Sequence, residues 1–212
     1  MSDTSRERIV DAATRLFAEH GYDGTSTRQI AAEAGLNMAT VNYHTGAKKE
    51  LYVEVMRRAH QAERSALEMA LAEFRATVPA SPGAAVAGLV DRYLDFCLEH
   101  PQVPALWMRR WLSDADEVSE LEADFARPLI ESVREAVVSA FPTDEAPGAD
   151  LEMTIWTVLW STHGFCRSGI LDGDAVRRGP GDKDAVERFR RHLRTLVLRD
   201  LGLPPQRRQV ER

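Results

Sequence analysis

Apolar residues recur at helical spacing along almost the whole chain, and the alternation of β-branched residues that makes a half-buried strand is missing. This restricts the fold to an all-α protein in which each helix buries one stripe. Thr4-x-x-Glu7 reads as a capping box opening a first helix, with Ile9, Ala12, Ala13, Leu16 and Phe17 on one face and a stop at Gly21. A second box, Ser26-x-x-Gln29, opens a short helix that buries Ile30, Ala31 and Ala34 and ends at Gly35. Asn37 caps a third short helix over about 38–44, and a longer helix runs from about Ala47 into the seventies.

The run ATVPASPGAAVAG marks a linker or sharp turn. Helices are expected after it at about 84–99, 102–112, 117–141, 149–171 and 183–201, with a kink or restart forced by Pro128. TDEAPGAD and GDAVRRGPGDK read as loops, and LPPQRRQVER has no pattern. At 212 residues and 44% hydrophobic content the chain has enough material for real cores, which excludes disorder as its main state. Cys97 and Cys166 both lie in apolar stretches and make no disulfide framework, and the N-terminus has no secretion-signal pattern, so a reducing cytoplasmic setting is expected. No apolar run approaches the 18 residues of a membrane span.

Two short helices joined by a tight turn at Gly35-Leu36, behind a supporting helix, are how a chain presents a helix to the DNA major groove. NMATVNYHTGAKKEL supplies small, hydroxylated, amide, aromatic and cationic residues at that place, all able to contact bases or phosphates. The formal charge of −6 does not advertise nucleic-acid binding, but its distribution does. Residues 26–49 hold three basic residues and one acidic, whereas 59–212 hold 19 basic and 25 acidic.

The run IVDAATRLFAEHGYDGTSTRQIAAEAGLNMATVNYHTGAKKELY resembles the helix-turn-helix domain of the tetracycline-repressor (TetR) family of bacterial regulators. The apolar spacing, Gly21-Tyr22, Ile30-Ala31, Ala34-Gly35, Tyr43-His44 and Lys48 through Leu51 fall in register, while Thr45 stands where the family usually has Phe. The resemblance implies phosphate contacts from Ser26, Arg28, Tyr43, His44 and Lys48, and base-edge reading by Asn37, Met38, Ala39, Thr40 and Asn42. It also implies a DNA-binding domain over 1–50 and a helical effector-binding and dimerisation domain over 51–205, while the patternless residues 206–212 are expected to be a disordered tail.

On this reading the partners are double-stranded operator DNA, a second copy of the chain and an apolar or aromatic small-molecule effector, with no cofactor, no metal and no membrane. A dimer interface is expected from Leu151, Ile155, Val158 and Leu159 on one helix and Val186, Phe189, Leu193, Leu196 and Val197 on the last. Phe96, Trp107, Met108, Arg109, Trp111, Trp156, Trp160, His163 and Arg167 are candidates for an effector pocket, although the same aromatic spacing serves a plain core or an interface equally well. Cys97-x-x-His100 and His163-x-x-Cys166 have zinc-ligand spacing but suit buried small hydrophobes and a helix-end imidazole better. Two alternatives stand beside this reading, a repressor without an effector and a small helical metal-dependent enzyme. The second finds no HExxH, Walker, GxSxG or dinucleotide fingerprint.

Overall fold

The computed structural model describes residues 2–112, 120–141 and 150–204. Its helices are α1 (Ser2–His20), α2 (Thr27–Glu33), α3 (Met38–Thr45), α4 (Lys48–Thr77), α5 (Pro82–Glu99), α6 (Gln102–Trp111), α7 (Arg127–Ala140), α8 (Leu151–Ser168) and α9 (Lys183–Asp200). By packing, the chain forms two units, Met1–Glu63 with His100–Arg127, and Arg64–Glu99 with Pro128–Arg212. No helix among the described residues is long and apolar enough to cross a membrane.

In the first unit α1, α2 and α3 pack on one another, and α6 packs on α1. Ile9, Val10, Ala13 and Phe17 of α1 are fully buried, as the helical stripe requires. Phe17, Tyr22 and Tyr52 form an aromatic trio, with the Tyr52 ring edge-on to Phe17 at 5.1 Å and to Tyr22 at 5.0 Å. These distances are those of favourable edge-to-face pairs, and the trio joins the end of α1, the turn after it and the start of α4. On the surface of this unit Glu54 sits 3.0 Å from Arg6 and 2.6 Å from Arg57. Burial alone would raise its carboxyl pKa, but the two guanidinium groups outweigh this and hold it below the ordinary value.

The second unit is built on Leu71 and Phe74 of α4, Val86 and Val90 of α5, Val137 of α7 and Leu193, Val197 and Leu198 of α9. An ion ladder flanks that core. Arg194 makes a two-pronged contact with Asp91, its Nε donating at 2.7 Å, and Arg190 reaches Asp95, so α9 is registered against α5 by charge as well as by packing. Phe165 and Phe189 stack at 4.2 Å and join α8 to α9.

The structure departs from the expected elements in four places. Thr4 is inside α1 rather than ahead of it, because no Gly or Pro precedes Thr4 and the helix runs back to Ser2. The helix expected over 117–141 is described from Leu121, its first residues and the TDEAPGAD loop lying largely outside the described residues, as does the tail over 206–212. Its interruption is a π turn at Glu122–Ala126, in which the Arg127 N–H donates to the Glu122 carbonyl. The widened turn makes room for Pro128, which has no N–H and whose ring would crowd the Asp124 carbonyl in a regular helix.

Helix α8 ends at Ser168 rather than at 171, because Gly169 adopts φ +63°. Beyond it lie the strands found among the described residues, β1 (Ile170–Leu171) at the end of the stretch expected to be helical and β2 (Arg177–Arg178) in the stretch expected to be a plain loop, paired antiparallel with Ile170 opposite Arg178. A Cβ on Gly169 would collide with the Arg178 carbonyl oxygen, so backbone approaches backbone only because a hydrogen stands there. Gly169→Ala should cost about 1–3 kcal/mol in urea denaturation, while Gly173→Ala, with nothing within 4 Å, should stay within about 0.5 kcal/mol of the parent.

Candidate nucleic-acid interface

Local hydrogen bonds shape α2 and the turn that follows it. The Gln29 N–H donates to Ser26 Oγ at 3.2 Å and the Ser26 N–H to Gln29 Oε1 at 2.8 Å, completing the capping box expected there. At the other end of α2 the Leu36 N–H donates to the Ala31 carbonyl and the Gly35 N–H to the Ala32 carbonyl, a Schellman closure that needs the left-handed φ of +64° at Gly35. Asn37 then starts α3, its Oδ1 accepting from the Thr40 N–H at 2.8 Å and the Thr40 hydroxyl at 3.0 Å.

Val41 is the buried residue of α3; Met38, Ala39, Asn42 and Tyr43 are exposed and Thr40, His44 and Thr45 half-buried. A helix held by one anchor cannot be explained as core material. Its eight residues make about two turns, and an α-helix of about 10–12 Å diameter fits the DNA major groove, about 12 Å wide. Tyr43 is 86% exposed, with its ring edge-on to His44 at 5.2 Å, so it is not packed between helices. Thr45 donates its hydroxyl to the Val41 carbonyl at 2.9 Å, and α3 runs intact through it to Gly46 at φ +69°, so the exit of the helix is closed without the aromatic ring.

Charge at this face is set by two contacts. Glu33, the acidic residue of the 26–49 segment, is held by Arg15 of α1 at 3.0 Å, so among the described residues the segment's remaining charge is that of Arg28, Lys48 and Lys49. The Lys48 ammonium sits 4.0 Å from the centroid of the Tyr22 ring. Sequence reasoning counted Tyr22 only as a residue in register and missed this support role. The signal was an aromatic directly after the helix-stopping glycine, which reveals its partner only once α4 folds back over it. Ser26, Asn37 and Thr40 spend part of their hydrogen-bonding capacity on caps, so Arg28, Met38, Ala39, Asn42 and Tyr43 present the more available surface.

The residues singled out for an effector pocket are divided between the two units. Trp107, 2% exposed, donates its indole N–H to Glu63 Oε2 at 3.1 Å and stacks on Trp111, Met108 is half-buried, and the Arg109 guanidinium donates to the main-chain oxygen of Glu19. These four belong to the first unit because α6 packs on α1. In the second unit, Trp156 and Trp160 lie 5.3 Å apart with Trp160 half exposed, Phe96 is buried, Arg167 is exposed, and buried His163 shares a 2.6 Å hydrogen bond with the Tyr93 hydroxyl. Burial pushes the His163 imidazole down to about 3.

Of the residues assigned to a dimer stripe, Leu193 and Val197 are consumed by the protomer's own core and offer a partner no surface. Leu151, Val158, Phe189 and Leu196 flank that core half-buried, and Ile155, Leu159 and Val186 are half-buried too. Helical period identified the stripe but could not say which of its edges points inward. Cys97 and Cys166 are buried thiols, that of Cys166 pushed up to about 11 by burial. No group of three or more His, Cys, Asp or Glu among the described residues is placed to hold a metal ion.

An exposed short helix, a rigid turn before it and cations at its borders define a helix-turn-helix DNA-binding protein. The profile described as bacterial regulatory proteins of the tetR family matches residues 9–55. The HTH-type transcriptional repressor SCO4008 of Streptomyces coelicolor is 30% identical over 196 residues, 90% of this chain and 95% of that protein. The HTH-type transcriptional regulator LmrA of Bacillus subtilis is 45% identical over 53 residues, 24% of this chain and 28% of that protein. The crystal structure of the TetR family regulator PfmR from Thermus thermophilus shares the fold with a TM-score of 0.68 at 21% identity, covering 95% of this chain and 98% of that one. The chain belongs to the TetR family of DNA-binding transcriptional regulators. Members of this family regulate transcription and are not enzymes, which sets the enzyme alternative aside.

Lys48→Ala should weaken binding to every duplex and flatten the slope of log K against log salt by about one unit, as measured by fluorescence anisotropy. Asn42→Ala should instead relax preference at particular base pairs, and equal loss on every sequence would show that it reads none. For His163 the pKa is depressed on folding, so its stabilisation is complete above the unfolded value of about 6.5. It should be lost at about 1.4 kcal/mol per pH unit as acidification proceeds toward 3. The stability difference between the parent and His163→Gln, taken from urea melts at pH 7, 6 and 5, should shrink accordingly; parallel curves would mean that the ring is protonated in the folded chain.

Proposed function

We propose that the protein is a cytoplasmic, homodimeric, ligand-responsive transcriptional repressor that binds a palindromic operator and is released by a small-molecule effector. The observation that carries the reading is the α3 helix, anchored through Val41 alone and otherwise presenting hydrogen-bonding and aromatic side chains outward. Repression is supported by the relatives, since SCO4008 is a transcriptional repressor by name. Residues 1–50 carry the DNA-reading function and 51–205 the effector and dimer functions.

Two copies related by a two-fold axis present their α3 helices about one DNA turn, roughly 34 Å, apart. Each copy offers only a few phosphate contacts, so bivalency provides the useful affinity. The dimer forms through α8 and α9. Met153 and Trp160 are 50% and 49% exposed on one side of α8, Trp156 lies between them, and a Cβ on Gly164 would meet nothing within 4 Å, an arrangement that suits a close-packed partner helix. The effector is apolar or aromatic with a hydrogen-bonding group, for which the Tyr93–His163 pair beside buried Phe96 on α5 is the best-supported contact. A preference of the effector for the non-binding state amounting to about 1–3 kcal/mol weakens the operator complex about 5- to 150-fold.

The test is anisotropy binding to the DNA upstream of the protein's own gene, against scrambled duplex, at two salt concentrations. Specific, salt-sensitive binding at two copies per site or a multiple of two is expected. Equal weak binding to both, repeated on sequences selected from a random library, would refute sequence-specific regulation. Trp160→Asp should convert the dimer to a monomer in light scattering and abolish tight binding to the full operator while leaving weak half-site binding. A dimer that persists would move the interface off α8.

A further inference from the structure

We propose that Arg109 is a positioning residue for DNA binding, holding the first helix of the reading head from its rear end. The last carbonyls of a helix have no partner within it, and the negative end of its dipole attracts cations. The Arg109 guanidinium meets both needs, donating to the main-chain oxygen of Glu19 one residue before the end of α1. It reaches there from α6, and α6 is itself fixed by two contacts, one buried and one part-buried. Trp107 donates to Glu63 at 3.1 Å, and Arg110, 7% exposed, pairs with Glu122 of the π turn at 2.8 Å.

The hold is passed forward along α1. Arg15 of α1 pairs with Glu33 at the end of α2, and Arg8 of α1 donates to the Ala34 carbonyl under the left-handed turn at Gly35. The turn and the start of α3 are therefore seated on α1, and the tilt of α1 is set by α6. A change in α6 reaches the DNA-reading helix through α1, by these guanidinium contacts and the packing of α1 on α2 and α3, without any residue that touches DNA being altered. Arg109 lies half-exposed, so its removal leaves the apolar core of this unit untouched.

The experiment measures affinity of the full-length protein for a specific duplex chosen by random-sequence selection, over a range of salt concentrations. No effector is present, and cooperative thermal melting confirms folding. Arg109→Ala should lose about 5- to 20-fold in affinity with the slope of log K against log salt unchanged. Arg109→Lys, which keeps a cation at the helix end, should recover most of the loss. Affinity within twofold of the parent would overturn the proposal and return Arg109 to the candidate effector contacts. A slope flattened by about one unit would also overturn it, since that marks a residue binding phosphate directly. Should Arg109→Ala melt without cooperativity, Arg109→Gln, which keeps a donor of similar length, is judged by the same two readouts.

Discussion

The reading head depends on the contact of three rings. Phe17 ends the buried stripe of α1, Tyr22 follows the glycine that stops that helix, and Tyr52 lies in the second turn of α4, so the trio packs three separate segments against one another. Because Tyr22 is pinned on one side by these rings, its face is held in place for the Lys48 ammonium. An ordered aromatic core thus becomes an ordered positive charge at the border of the DNA-facing helix. A lysine on a free stem would lose side-chain entropy each time it met a phosphate, and the cation–π contact removes part of that loss beforehand.

Around the trio, charge is arranged so that the DNA-facing segment stays positive in a chain that is acidic overall. Arg15 takes Glu33 out of the balance, and Arg6 and Arg57 do the same for Glu54. Exposed pairs of this sort contribute little to stability. Their value here lies in where they leave charge uncompensated. The second unit uses ion pairs differently, with Arg190 and Arg194 set across from Asp91 and Asp95 to fix the register of α9 on α5, beside an apolar core that supplies the stabilisation.

Much of the fold was legible because its signals are local. Ser26 with Gln29, Gly35 and Asn37 each act on backbone groups within a few residues, so the residue types alone state the turn. Pro128 announced an interruption of its helix for the same reason, although not that the chain would answer with a π turn. Gly169 was overlooked because its requirement comes from Arg178, nine residues away across a hairpin whose strands are only two residues long. The residues proposed to face DNA were likewise readable as a set of side-chain types on and around one short helix. Their exposure was not, nor was the share of hydrogen-bonding capacity that Ser26, Asn37 and Thr40 give to helix ends.

What the sequence determined by itself was the all-α class, the helix-turn-helix and the chemical character of its reading helix, since periodicity, caps and left-handed glycines are short-range consequences of covalent structure. Only the tertiary structure decided the partners of long side chains. Arg109 and Trp107 looked like pocket residues on a tryptophan-rich helix, yet α6 packs on α1 and turns them toward Glu19 and Glu63, while Leu193 and Val197 face inward. A helical stripe says that a face must be covered. Which body covers it depends on how helices distant in sequence pack together, and no local rule contains that information.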